Sequence, residues 1–158
     1  MVSDRFGVLL EEVGKALNIP LKPDANNSCL IKYPDDIQIQ IELERKLGED
    51  LILGTDFGEI PVGKYREDLF LEALKWNGMP LPRYGIFAYS KPTGHLVLFE
   101  KFPLGQFSPE KFIEYLPLFI AKTKIWKEAL ANGRLPILVA SESAAGSHSS
   151  GGLFGLRP

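Results

Sequence analysis

The sequence predicts an α+β domain in which an antiparallel sheet is combined with three helices, in the order α-β-β-β-α-β-β-α, plus a flexible C-terminal tail. Three observations lead to this prediction. Apolar residues recur at helical spacing near the N-terminus, they alternate with polar residues over residues 37–44, and a helix–hairpin–helix pattern spans residues 69–130. We expect residues 1–133 to form the domain and residues 134–158 to form a disordered Ser/Gly-rich tail.

The first helix is predicted from a single apolar face. Ser3 or Asp4 can cap its N-terminus, and Pro20 ends it, because proline has no amide proton and disfavours a helical residue before it. The apolar face consists of Phe6, Leu9, Leu10, Val13, Ala16 and Leu17.

Three strands are expected next, at residues 29–33, 37–44 and 51–57, with a turn at Gly48 before the third. The middle strand is the clearest, because its isoleucines and Leu43 alternate with glutamine and glutamate. This alternation predicts a meander with one apolar face and one polar face in water.

A second helix and a hairpin are expected after the meander. The helix begins near residue 61 and stops at Asn77-Gly78, two residue types that accept left-handed backbone geometry. Two strands follow at residues 84–89 and 95–102, and a turn at residues 91–94 joins them.

The last helix is predicted to begin at Ser108, which can act as its N-cap, with Pro109 in the first helical position. Its apolar residues continue past Trp126 to Leu130. Pro117 lies inside this helix, where proline removes a hydrogen bond, so we expect a bend there.

Composition excludes several classes of protein. A formal net charge of -2 gives no basic face for nucleic acid, and no apolar run reaches the roughly 18 residues of a membrane span. Cys29 is the single cysteine, so no intramolecular disulfide can form. We therefore expect a cytoplasmic protein without cofactor or bound metal.

Nucleophilic catalysis has one candidate pair, Cys29 and His95. Cys29 begins an apolar strand and is better explained as a core thiol, while His95 follows a glycine at a hairpin turn. No catalytic residues are assigned. The ten Phe, five Tyr and two Trp are instead more aromatic surface than a small sheet can cover, which favours a protein interface.

The second half of the chain resembles the class I type III secretion chaperones, the Tir-chaperone family. The resemblance is carried by a helix with an Asn-containing stop, a strand, a turn with glycine, an apolar strand, and a helix with a tryptophan near its end. These segments are residues 69–78, 84–89, 93–98 and 119–130.

The resemblance implies a chaperone that binds the N-terminal segment of secreted effector proteins without ATP. It also implies a homodimer, or a heterodimer with a related chaperone. The effector-binding residues implied are Phe6, Leu9, Leu10, Val13, Ile39, Ile41 and Leu43. The dimer-interface residues implied are Leu69, Phe70, Leu74, Trp76, Ile86 and Phe87.

Two other functions are compatible with the sequence. One is a small-ligand-binding or enzymatic α+β domain, which needs a concave pocket with convergent polar groups. The other is a subunit of a larger assembly that docks through the apolar residues 153–156 of its tail.

Overall fold

The computed structural model describes residues 5–44, 46 and 49–137. The elements in chain order are helix α1 (Arg5–Leu17), strands β1 (Ser28–Tyr33), β2 (Ile37–Glu44) and β3 (Asp50–Glu59), helix α2 (Lys64–Asn77), strands β4 (Ile86–Ser90) and β5 (His95–Pro103), a 3₁₀ turn (Leu104–Gln106) and helix α3 (Pro109–Ala131). The predicted order of helices and strands is confirmed. The turn predicted at Gly48 and the tail from residue 138 onward lie outside the described residues.

The five strands form one antiparallel sheet in the order β1-β2-β3-β5-β4. Strand β2 shows the predicted alternation, with its isoleucines and Leu43 buried and the glutamines between them exposed. The hairpin between β4 and β5 turns at residues 91–94, as predicted, and the Gly94 amide donates to the Ser90 carbonyl at 2.7 Å. Two strands, β1 and β4, lie at the edges of the sheet.

Helices α1 and α3 contact each other on the face of the sheet toward which β2 turns its apolar side chains. The core between them contains fully buried aromatic residues such as Phe6, Phe112 and Phe119. The opposite face carries the glutamines of β2 and is covered by no helix among the described residues. The described part of the chain therefore covers one face of the sheet and leaves the other uncovered.

Helix α2 packs beside β4 through an aromatic cluster. The ring of Trp126 lies with its centroid 4.0 Å from that of Phe87 and 5.5 Å from that of Trp76, so α3, β4 and α2 meet there. Trp126 has no exposed surface. This cluster fixes α2 against the rest of the domain.

Two local predictions need correction. Gly78 has a right-handed backbone (φ −81°), so α2 does not end in the left-handed glycine that we expected. The last carbonyls of α2 accept hydrogen bonds from the Gly78 amide. Strand β4 begins at Ile86 instead of Tyr84, because Gly85 has φ +105° and lies against Leu98 and Phe119 where no Cβ would fit.

Helix α3 runs without interruption from Pro109 to Ala131, so Pro117 does not break it. Its start matches the prediction, since the Ser108 hydroxyl accepts a hydrogen bond from the Lys111 amide at 3.3 Å. None of the helices among the described residues combines the length and apolar character that a bilayer span requires.

Candidate effector-binding surface

Helix α2 packs against the β4 edge of the sheet. Asn77, at the end of that helix, accepts a hydrogen bond from the Phe87 amide at 2.8 Å and donates one to the Phe87 carbonyl at 2.9 Å. Phe70 of α2 lies with its ring 5.1 Å from that of Tyr89. A side chain thus takes the place of a neighbouring strand at Phe87, and α2 packs against the Tyr89 ring further along the edge.

The β1 edge has a different pattern of backbone bonding. The Leu43 amide donates to the Asn27 carbonyl at 3.0 Å, and this bond fixes which residues of β1 face β2. Ser28, Leu30 and Lys32 therefore turn their amides and carbonyls outward. The described part of the chain supplies no hydrogen-bond partner to these groups of Leu30 and Lys32. Strand β1 is thus open to an added strand.

Asp24 limits the open part of this edge. Its carboxylate accepts a hydrogen bond from the Ser28 amide at 2.9 Å, and its own amide donates to the Ser28 carbonyl at 2.8 Å. Both outward groups of Ser28 are satisfied in this way. Pairing with an incoming peptide can therefore start only at Leu30.

The face of the sheet beside this open edge carries a shallow groove of about 390 Å³. Leu30, which is 47% exposed, opens into it together with half-buried Ile52, Val97 and Phe99. The polar members of the lining are Asp36, Gln38, Gln40, Glu42, Thr55, Asp56 and Lys127. An apolar side chain beside a polar rim is typical of a surface that binds extended peptides.

All seven residues predicted to bind effectors lie in the core. Each is at most 8% exposed, and their side chains pack between the sheet and helices α1 and α3. In this conformation they support the surface from inside and present no side chain to a partner. Their role in effector binding stays a prediction.

The residues predicted for the dimer interface differ in their exposure. Leu69, Trp76 and Phe87 are buried, whereas Leu74 is 66% exposed on the outer side of α2. Phe70 and Ile86 are half-buried. The structure brings Trp76 and Phe87 together, with ring centroids 6.5 Å apart, but as parts of the core. Their place in a dimer interface likewise stays a prediction.

Several exposed apolar residues were not anticipated from the sequence. Leu71 is 56% exposed beside Leu74, Leu81 is 77% exposed in the connection after α2, and Leu30 lies on the polar face of the sheet. A signal for Leu30 was present, because it lies between Cys29 and Ile31, whose side chains face the core, and so breaks the alternation of β1.

The structure separates the candidate catalytic residues. Cys29 lies in β1, and burial raises the pKa of its thiol, which disfavours the reactive thiolate. His95 begins β5, three strands away, or about 14 Å at the usual strand spacing. Its Nδ1 lies 2.8 Å from the Asp56 carboxylate. Within the described ranges, no three Cys, His, Asp or Glu residues cluster as metal ligands do.

Solved structures with a similar fold include a chaperone–effector complex. The chain is similar to one in the crystal structure of the ExsC–ExsE complex (17% identity, TM-score 0.64, 82% of this chain and 96% of that one). It is also similar to one in the HopA1–SchA chaperone–effector complex (17%, 0.64, 79% and 94%) and to one in the ExoT–SpcS complex from Pseudomonas aeruginosa (14%, 0.59, 78% and 97%).

The sequence itself gives a second comparison. None of the curated proteins matches it. The model of the Tir chaperone protein (CesT) family, however, matches residues 8–127, which extend from the middle of α1 nearly to the end of α3. The match includes every strand and all of α2. The chain belongs to the Tir chaperone protein (CesT) family.

Proposed function

We propose that this chain binds the N-terminal segment of type III secreted effector proteins in the cytoplasm and keeps them soluble and secretion-competent without ATP. Membership of the Tir chaperone family supports the class of partner. The observation that carries the mode of binding is the open β1 edge: the outward backbone groups of Leu30 and Lys32 have no partner among the described residues, whereas on β4 the Asn77 side chain bonds to those of Phe87 and α2 packs alongside.

The proposed complex forms by strand addition. An extended effector segment pairs with the outward backbone groups of Leu30 and Lys32, while its alternate side chains lie beside Leu30 and Gln40 at the near end of the groove. The process consists of binding and release, and no covalent bond is made or broken. The seven residues predicted to bind effectors lie in the core and contribute to effector binding by supporting this surface from inside. They would contact the effector directly if α1 moved away from the sheet on binding.

The first experiment is capture of the tagged chain with its partners from its native cell, followed by mass spectrometry. We expect one or a few proteins that lose binding when their N-terminal segments are deleted. Deleting residues 141–158 should leave this binding intact, whereas a subunit that docks through residues 153–156 would lose it. Partners held through other regions would contradict the proposal.

A homodimer is the second part of the proposal. Leu71 and Leu74 form an exposed apolar pair on α2, next to half-buried Phe70, and a two-fold interface can be built from one such surface on each copy. The pair continues the surface predicted from the sequence.

Replacing Leu74 by aspartate is expected to convert the dimer to a folded monomer, because it places a charge in an apolar interface without disturbing the core. Sedimentation velocity measures the change. Ile125→Asp is the matched control, since Ile125 is a 40% exposed residue on the outer side of α3 and should leave the dimer intact. A Leu74→Asp protein that still sediments as a dimer would remove α2 from the interface. Aspartate at Phe70 or Ile86 should split the dimer as well, at some cost in stability.

A further inference from the structure

Lys122 is a buried cation on the inner face of α3. It is 7% exposed, and none of the described carboxylates lies within ion-pair distance of its ammonium group. Its Nζ donates to the Arg83 carbonyl at 2.7 Å and to the Gly85 carbonyl at 2.9 Å. The same atom lies 4.9 Å from the centroid of the Phe87 ring. Such a group is costly to bury, and an apolar side chain would fill the space at lower cost.

Both carbonyls belong to the connection between α2 and β4, residues 78–85. Two other bonds hold the same segment: Arg83 donates to the Asn77 carbonyl at 3.2 Å, and the Gly85 amide donates to Glu100 at 3.1 Å. The connection is therefore bonded to α2, to β5 and to α3. A network of hydrogen bonds that joins three elements in this way favours one geometry of the connection.

The connection held in this way carries apolar side chains that face water. Leu81 is 77% exposed and Met79 is 40% exposed, and both follow the exposed Leu74 at the end of α2. The buried bonds thus determine where these apolar side chains lie relative to α2.

We propose that Lys122 is a positioning residue that holds the connection 78–85 against α3 and thereby sets how Leu74 and Leu81 are presented to a second copy of the chain. This inference rests on the proposed homodimer. The alternative is that Lys122 only stabilises the core.

The positioning role predicts that the opening of the connection depends on pH, because Lys122 binds a proton. The charged groups that act on Lys122 are Glu100 from β5 and Arg83 from the connection, and Glu100 also accepts a hydrogen bond from the Tyr115 hydroxyl of α3. Burial, with Arg83, lowers the pKa of Lys122 to about 8, and Glu100 opposes this. A lysine released into water with the connection would recover a pKa near 10.4.

The sign of the pH effect follows from these two values. Between pH 8 and about 10 the released lysine binds a proton that the held lysine has lost, so raising the pH favours the held position. The opening constant of the connection should therefore fall as the pH rises through this window, by up to about tenfold per pH unit. Hydrogen exchange of the Gly85 amide, corrected for intrinsic exchange, measures this in the wild-type chain without any substitution.

The substitution that tests positioning is Lys122→Met, which keeps most of the length of the side chain and removes its donors. We expect faster exchange across residues 79–85, loss of the pH dependence, and a dimer dissociation constant at least tenfold higher by sedimentation equilibrium. Thr123→Val is the matched control, because buried Thr123 bonds only to Phe119 within its own helix. It should leave both the exchange of the connection and the dimer unchanged.

Each other outcome overturns a defined statement. A folded Lys122→Met protein with wild-type hydrogen exchange at residues 79–85 would show that Lys122 does not hold the connection. Faster exchange with an unchanged dimer would show that the connection does not present the interface. If the wild-type chain is monomeric at all concentrations, the proposed homodimer and this positioning role both fail, while the exchange data still show whether Lys122 holds the connection. If Lys122→Met does not fold, a flat wild-type pH profile between pH 8 and 10 refutes the inference.

Discussion

Replacing Leu30 by proline is expected to lower the affinity for an effector segment at least tenfold and to leave the domain folded. Proline removes the outward amide of Leu30 and places its ring at the edge where an added strand would lie. It costs no bond to β2, because Leu30 faces Gln40 in a pair of residues that do not bond to each other. Proline is tolerated on edge strands for this reason.

Leu30→Ala is the matched variant, because it removes the exposed side chain and keeps the amide. Titration calorimetry with the captured segment should show a smaller loss for alanine than for proline, and thermal melting confirms that both proteins are folded. Wild-type affinity in a folded Leu30→Pro protein would exclude strand addition at β1. An equal loss in both variants would assign the binding to the Leu30 side chain.

Replacing Trp126 by alanine is expected to lower the free energy of unfolding by about 3–5 kcal/mol, the range for removing a buried aromatic residue. Trp126 has no exposed surface and joins α3 to Phe87 and Trp76, so no neighbouring element can close the space that the indole leaves. Such a loss is a large fraction of the stability of an ordinary domain.

Denaturation in urea measures the effect of Trp126→Ala, with the half-exposed neighbour Ile125→Ala as a control that should cost under about 1 kcal/mol. Trp126→Phe should be milder than alanine, because the indole nitrogen has no hydrogen-bond partner among the described residues. A cost below about 1 kcal/mol for Trp126→Ala would mean that α2 and β4 are not held to α3 through this cluster.

The sequence predicted the elements because their signals are local. The alternation over residues 37–44 and the apolar face of α1 follow from the geometry of a strand and a helix alone. Exposure was harder to predict, because an apolar stripe does not show whether the same chain or a partner covers it. The resemblance implied that Phe6 and Ile39 bind an effector, and in the structure α1 and the sheet bury them against each other.

The closing of one sheet edge could not be predicted from local patterns. Asn77 was interpreted as a helix stop, and α2 does end there; its side chain in addition bonds to Phe87, ten residues later, across a connection whose path no periodicity encodes. The bonds of Lys122 to Arg83 and Gly85 span still longer separations. Contacts of this kind depend on how the elements pack, which is decided by the whole core.

The Asp24 bonds at the start of β1 have a consequence for how cargo leaves. With Ser28 satisfied, an incoming strand can bond only to the two outward residues that follow, Leu30 and Lys32. At about 1 kcal/mol for each backbone bond, this pairing contributes only about 4 kcal/mol, well short of the roughly 8 kcal/mol of a micromolar complex. If the proposed strand addition is right, the remaining affinity comes from contacts elsewhere along the bound segment. Such a segment would be released by breaking several weak attachments one after another.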